Sequence, residues 1–241
     1  MRAVLALLLA TSAAAFSPAA QTSSKSALGA TAVDKELGVQ APIGFFDPLG
    51  FIKNGPYGGP EENFSHYRSV EVKHGRIAMF AFVGYIVHAN GITFPWAMQM
   101  DGTPFPKVAS APEAWDSISD AAKIQIFLFV GFLEFYREVA SEKHYMKGGK
   151  IGDFPDFDAK VIPGGALNLY DPFGYSKNKS AAAKEAGLIK ELNNGRLAMI
   201  GIFGFLSEAK IEGAVPALKG IIPSYAGEFM APMSHSLFPS L

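Results

Sequence analysis

Apolar residues gather along this chain in three long stretches, each interrupted by a few polar side chains at helical spacing. The stretches run from about Ser69 to Asn90, Ser119 to Ala140 and Ala183 to Lys210, and they predict three membrane helices. Their uninterrupted cores, such as Ile124 to Leu133, are short for a lone span of about 20 residues. Interruptions by His, Glu and Asn make up the remainder. A buried helix of a soluble core would explain one such segment; three together point to a membrane bundle.

Two of the stretches repeat one another. EVKHGRIAM at 71–79 returns as ELNNGRLAM at 191–199, in constant register since 191 − 71 = 120 and 199 − 79 = 120. The register pairs Gly84 with Gly204 and His88 with Glu208. Ahead of each copy lies a D-P-x-G turn, FFDPLGF at 45–51 and YDPFGY at 170–175. In that tetrad Asp and Pro initiate the turn, and Gly accepts a positive φ.

Composition narrows the class. Hydrophobic residues make up 49% of the 241 positions, with 20 Phe, which agrees with a membrane setting. A net charge of −1 leaves no electrostatic footprint for nucleic acid. The chain has no cysteine, so disulfides, thiolate metal sites and thiol catalysis are excluded. Residues 1–15, MRAVLALLLATSAAA, read as a signal peptide, and residues 16–31 as a plastid transit segment poor in acids. Residues 32–241 are then the functional domain. Lysines crowd the 141–190 connection, whereas 91–118 holds only Lys107, so the N-terminus and the long loop are expected on the stromal side and the C-terminus in the lumen.

The repeated residues carry the chemistry. Glu71 and His74 share a helix face, as do Glu191 and Asn194. Each arginine lies five positions after its glutamate, about 140° round the helix, so a local pair is poorly aimed. If the copies cross about a pseudo-two-fold axis, Arg76 meets Glu191 and Arg196 meets Glu71. Gly75, Gly195, Ala78 and Ala198 supply the small surfaces for close crossing. An unpaired charge at mid-membrane costs about 2.5–3.5 kcal/mol, and reciprocal pairs remove most of that. A carboxylate bound to one arginine keeps acceptor capacity for a cation.

Further donors follow. His88 and Glu208 lie 14 residues after His74 and Asn194, returning to nearly the same face about 21 Å along, as a second tier. The middle stretch adds Gln125, Glu134 and Arg137, the last two able to pair at i, i+3. Such oxygen and imidazole donors suit magnesium better than haem iron. They are spread along the helices rather than convergent. Scattered single-ligand magnesium sites in an apolar bundle imply chlorophyll.

ExxHGRxAM and ExxNGRLAM resemble the first and third helices of the light-harvesting chlorophyll-binding superfamily. The middle-helix GFLE and the ending VPALKGIIPSYAGEFMAP are most similar to fucoxanthin–chlorophyll a/c binding proteins. The resemblance covers about residue 40 to the C-terminus. It implies an all-α membrane protein of three transmembrane helices that binds chlorophyll a, chlorophyll c and fucoxanthin-type carotenoids. It also implies a non-enzymatic antenna of the plastid thylakoid, partnered by other antenna subunits and a photosystem core. By position it makes Glu71, His74, Glu134, Glu191, Asn194 and Glu208 axial ligands, with Arg76, Arg137 and Arg196 as their partners. Gln125 is a further ligand position, and His88 follows from internal symmetry alone. The D-P-x-G turns match the ends of two carotenoid grooves.

Other readings stay open at this point. A photoprotective relative would sense protons through Asp101, Glu113, Asp116 or Asp120. A transporter or a haem protein would use the intramembrane acids differently. His66 is expected at the interface before the first helix, and His144 solvated on the stromal loop. His235 is read as a tail residue, and Trp96 and Trp115 as an aromatic belt.

Overall fold

The computed structural model describes residues 36–108, 110–157, 171, 173–229 and 231. The leader and His235 lie outside these residues. Five α-helices are present among them: α1 (Phe51–Asn54), α2 (Pro60–Ala89), α3 (Ala111–Asp116), α4 (Asp120–Ala140) and α5 (Ala181–Lys210). Short 3₁₀ turns occupy Tyr145–Lys147 and Pro216–Leu218. Among the described residues β pairing is limited to the isolated bridges Gln40–Gly44 and Ala97–Pro104.

The first long helix starts at Pro60 rather than near Ser69, which puts His66 inside it. Proline suits a first helical position because its missing N–H has no partner there in any case. Glu61 and Glu62 in the first turn complement the helix dipole. The helix stops where Gly91 takes φ +68° and its amide bonds to the His88 carbonyl at 2.8 Å.

No helix among the described residues is long and apolar enough to cross a membrane. Length is not what fails. The 21 residues of α4 rise about 31 Å, against a hydrocarbon core of about 30 Å. Charge is what lowers the hydropathy: Glu71, Lys73 and Arg76 in α2, Lys123, Glu134 and Arg137 in α4, and Lys184, Glu185, Lys190, Glu191 and Arg196 in α5.

The described residues divide into two compact units, one drawn from 36–77 and 131–196, the other from 78–130 and 197–231. In the first unit, α2 and α5 meet backbone to backbone. A Cβ on Gly75 would lie 3.0 Å from Gly195 Cα, and one on Gly195 would lie 2.9 Å from Gly75 Cα. Only glycine allows that approach. The two D-P-x-G turns also belong here. Asp47 accepts the amides of Phe51 and Ile52 at 2.8 and 2.9 Å, and Asp171 those of Tyr175 and Ser176 at 2.7 and 2.5 Å.

These amides, that of Ser176 foremost, hold the Asp171 carboxyl below the ordinary carboxylate range. A group whose folded value is depressed stabilises the fold above its unfolded value and loses that contribution as pH falls through the folded one. The turn is therefore expected to hold firm from neutral pH down to about pH 4 and to loosen below it. Hydrogen exchange at the Tyr175 and Ser176 amides checks this. In Asp171→Asn the two amides should exchange faster at neutral pH and show no acid-induced step.

In the second unit Ala78, Tyr85, Ala198 and Ala209 are buried, and Phe82 stacks on Phe205 at 4.9 Å between ring centroids. The segment after α5 is tied down at several points. Tyr225 donates its amide to the Ala209 carbonyl at 2.7 Å and its hydroxyl to Asp116 at 2.6 Å. Lys210 Nζ donates to the carbonyls of Ala226 and Gly227. Trp115 Nε1 donates to the Ala231 carbonyl at 2.7 Å, while Trp96 is 59% exposed and stacks on Phe94.

Candidate functional site

Two glutamates and two arginines face each other at the glycine contact. Arg76 Nε donates to Glu191 Oε1 at 2.5 Å, and Arg196 Nε to Glu71 Oε1 at 2.7 Å. Both pairs span the two helices, as the 140° offset within each helix requires. Each guanidinium makes a second bond in the same sense: Arg76 Nη1 donates to the Gly152 carbonyl at 2.6 Å, and Arg196 Nη1 to the Gly38 carbonyl at 3.0 Å. One arginine thus neutralises a carboxylate and pins the chain that precedes or follows the other elements.

Gly38 and Gly152 were not legible as site residues. Both are left-handed, with φ +95° and +78°, and both are crowded. A Cβ on Gly38 would collide with the Leu192 side chain, and one on Gly152 would come within 3.1 Å of Val72 Cγ1. A glycine in a loop carries no local signal that its carbonyl will meet an arginine 76 or 158 residues away.

The twin carboxylates differ. Glu71 Oε2 accepts a further bond from Arg68 Nη1 at 2.6 Å. Among the described residues Glu191 has Arg76 as its partner, and Oε2 is free. Arg68 stands three residues before Glu71, so the i, i+3 rule could have found it. Beside both pairs opens a cavity of about 560 Å³, walled by Phe64, Val72, Ile151, Leu188 and Leu192 with the two glutamates.

The donor atoms one turn on are presented outward. His74 is exposed, and its Nδ1 lies 2.9 Å from the Val70 carbonyl. A carbonyl can only accept, so Nδ1 carries the proton, and Nε2 is the nitrogen that the neutral ring leaves with a lone pair. Asn194 is exposed at the matching place on α5. Exposed apolar side chains continue along each helix at three-residue intervals, Ile77, Phe80 and Val83 on α2 and Leu197, Ile200 and Phe203 on α5.

On α4 the expected local pair is not made. Glu134 Oε2 accepts from Lys73 Nζ of α2 at 2.5 Å. Arg137 instead donates to Ser69 Oγ at 3.0 Å and lies over the Tyr145 ring at 5.2 Å. The lysine reaches the carboxylate from a neighbouring helix, and the hydroxyl and ring draw the guanidinium away. His144 is not simply solvated either: Nε2 lies 2.7 Å from Glu138, and Nδ1 accepts the Met146 amide. His66 stacks on Tyr57 at 3.7 Å.

The second tier does not assemble as expected. Glu208 is 2% exposed, and its two oxygens accept the amides of Gly213 and Val215 at 2.9 and 2.8 Å. It closes the end of α5 rather than facing outward, because the chain folds back over that end and its amides need acceptors. His88 and Gln125 are exposed on α2 and α4.

The Chlorophyll A-B binding protein family model matches residues 33–210 of this chain. The chain is 39% identical over 210 residues to fucoxanthin-chlorophyll a-c binding protein F, chloroplastic, of Phaeodactylum tricornutum, covering 87% of this chain and 95% of that protein. It is 39% identical over 226 residues to the fucoxanthin-chlorophyll a-c binding protein of Trieres chinensis, covering 90% and 98%. A Macrocystis pyrifera relative, fucoxanthin-chlorophyll a-c binding protein B, is 36% identical over 198 residues, 80% of each chain.

Proposed function

From the premise that the chain belongs to the chlorophyll a-b binding protein family, we propose that it is a light-harvesting antenna binding chlorophyll a, chlorophyll c and a fucoxanthin-type carotenoid. The observation that carries the reading is the pair of reciprocal Glu–Arg bonds beside outward donor atoms. It is a scaffold rather than an enzyme. When bound, the chlorophylls absorb light and pass excitation onward, and the carotenoids add absorption and quench triplets.

The residues present suit magnesium tetrapyrroles. Magnesium takes oxygen and imidazole nitrogen and rejects nothing on offer here. His74 offers Nε2 because Val70 holds the other ring nitrogen, and Asn194 offers its amide oxygen. Glu191 offers Oε2. Glu71 and Glu134 complete the proposed set, each neutralised by a cation from another helix. Exposed Phe, Ile, Leu and Val beside these donors give a macrocycle and its tail an apolar bed. Glu208 is outside the set, and Gln125 and His88 stay within it on exposure alone.

The same pairs answer part of the low hydropathy of the helices. Counting the matched charges as neutral, α2, α4 and α5 cross the thylakoid membrane as three helices. The first and third are related by a pseudo-two-fold axis through Gly75 and Gly195. The lysine-rich 141–190 connection places the N-terminus in the stroma and the C-terminus in the lumen. Other antenna subunits and a photosystem core are the partners that such a scaffold serves.

Proton sensing by the 91–120 acids has less support, because each is engaged. Thr103 holds the Asp101 carboxyl below its ordinary range through its side chain and amide. Asp116 accepts the Tyr225 hydroxyl, Glu113 serves the capping box of α3, and Asp120 lies 3.9 Å from Lys123.

Two measurements test the reading. The purified complex is expected to show chlorophyll c and fucoxanthin bands, and their absence overturns the pigment assignment. Asn194→Leu, which changes an exposed donor and strands no charge, is expected to lose one chlorophyll per protein while the fold survives. Unchanged stoichiometry in extracted pigment rules Asn194 out as a ligand.

A further inference from the structure

We infer that Arg68 makes the two sequence-matched carboxylates Glu71 and Glu191 unequal, and so gives the chlorophyll at Glu71 an absorption distinct from that of its twin. The inference rests on the proposed ligation by Glu71 and goes beyond it. Arg68 Nη1 lies 2.6 Å from Glu71 Oε2, the oxygen that Arg196 leaves over. At Glu191 the corresponding oxygen is free among the described residues. The repeat explains why: 68 + 120 = 188, and position 188 is leucine. Nothing at Leu188 can donate.

Two consequences follow. Glu71 has one lone-pair direction fewer for magnesium, since each of its oxygens already accepts an arginine. Counting the groups in direct contact, two guanidiniums meet one carboxylate at the Glu71 site, with the Glu36 carboxylate acting on Arg68 from further off, whereas Glu191 meets Arg76 alone. Arg68 is only 13% exposed, so water screens its charge weakly. Hydrogen-bonding partners of a ligating carboxylate tune the metal it holds. A fixed charge beside a macrocycle also displaces its absorption, because ground and excited states differ in dipole. Arg68 is a positioning residue here, acting on the pigment through Glu71.

Arg68→Leu copies the twin and is the test, made on the full pigment–protein complex. One chlorophyll band is expected to move with pigment stoichiometry unchanged, while Arg68→Lys, which keeps the charge, leaves the band in place. Should Arg68→Leu fail to assemble, Arg68→Gln carries the same expectation. The triple variant Arg68→Leu/Glu71→Leu/Arg196→Leu removes ligand and both cations together, so neither guanidinium is left without its carboxylate. It is expected to lose one chlorophyll whose band coincides with the moved one. A spectrum of Arg68→Leu, or of Arg68→Gln where that variant stands in, superimposable on the wild type overturns the inference while leaving ligation standing. Full pigment content in the triple variant overturns ligation by Glu71 itself, and the inference with it.

Discussion

Glu71→Gln is expected to be the most damaging conservative change in the chain, and more damaging than its twin Glu191→Gln. The glutamine keeps the shape and removes the charge. At position 71 that leaves two guanidiniums, Arg68 and Arg196, without the carboxylate both contact; at 191 it leaves only Arg76. Breaking a buried pair by removing one partner costs roughly 3–5 kcal/mol. Glu71 is 28% exposed, which brings the expectation to about 3 kcal/mol. For Glu191→Gln the stranded arginine keeps the Gly152 carbonyl, and a smaller loss of about 2.5 kcal/mol is expected, below the cost of breaking a fully buried pair. The midpoint for loss of pigment-induced circular dichroism on heating should fall in that order. Equal midpoints for the two variants would show that Arg68 draws nothing from Glu71.

Valine at Gly75 or Gly195 should come next, through sterics alone. A Cβ at either position meets the backbone of the other helix at 3.0 or 2.9 Å, and backbone cannot rotate out of the way as a side chain can. Overpacking of this kind costs about 1–3 kcal/mol. Here the helices must also part, which lengthens the Arg76–Glu191 and Arg196–Glu71 bonds. The effect of Gly195→Val is therefore expected to be non-additive with that of Glu71→Gln in a double-mutant cycle. Gly84→Ala and Gly204→Ala are the controls. A Cβ at Gly84 meets nothing within 4 Å, and one at Gly204 meets only Val215 Cγ2 at 3.9 Å. Both should be neutral or stabilising by up to about 1 kcal/mol, as alanine suits a helix interior better than glycine. Equal assembly of Gly195→Val and Gly204→Ala into the pigmented complex would argue that the helices do not touch at Gly195.

How far the site could be read in advance depended on how local its signals were. The D-P-x-G turns were legible because Asp47 and Asp171 bond to amides four and five residues on. The reciprocal arginines were legible because a helix cannot close a Glu–Arg pair at i, i+5, and a repeat offers the other copy as partner. Arg137 misled for the opposite reason. It has a good local partner at i, i+3, but Ser69 and Tyr145 reach it first, and Lys73 takes Glu134. Glu208 matched His88 in register, yet register says nothing about the chain folding back over the end of α5.

Order along the chain was sufficient to determine a helical protein with a doubled Glu–Arg motif, the small residues at its centre and the outward donors His74 and Asn194, since all of these follow from 3.6-residue periodicity and the 120-residue repeat. Only the tertiary structure decided which cation each carboxylate received, which oxygens stayed open, and that Gly38 and Gly152 would supply the arginines' second acceptors. Those outcomes depend on distances between segments far apart in the chain, where several partners of equal chemistry compete and packing selects one.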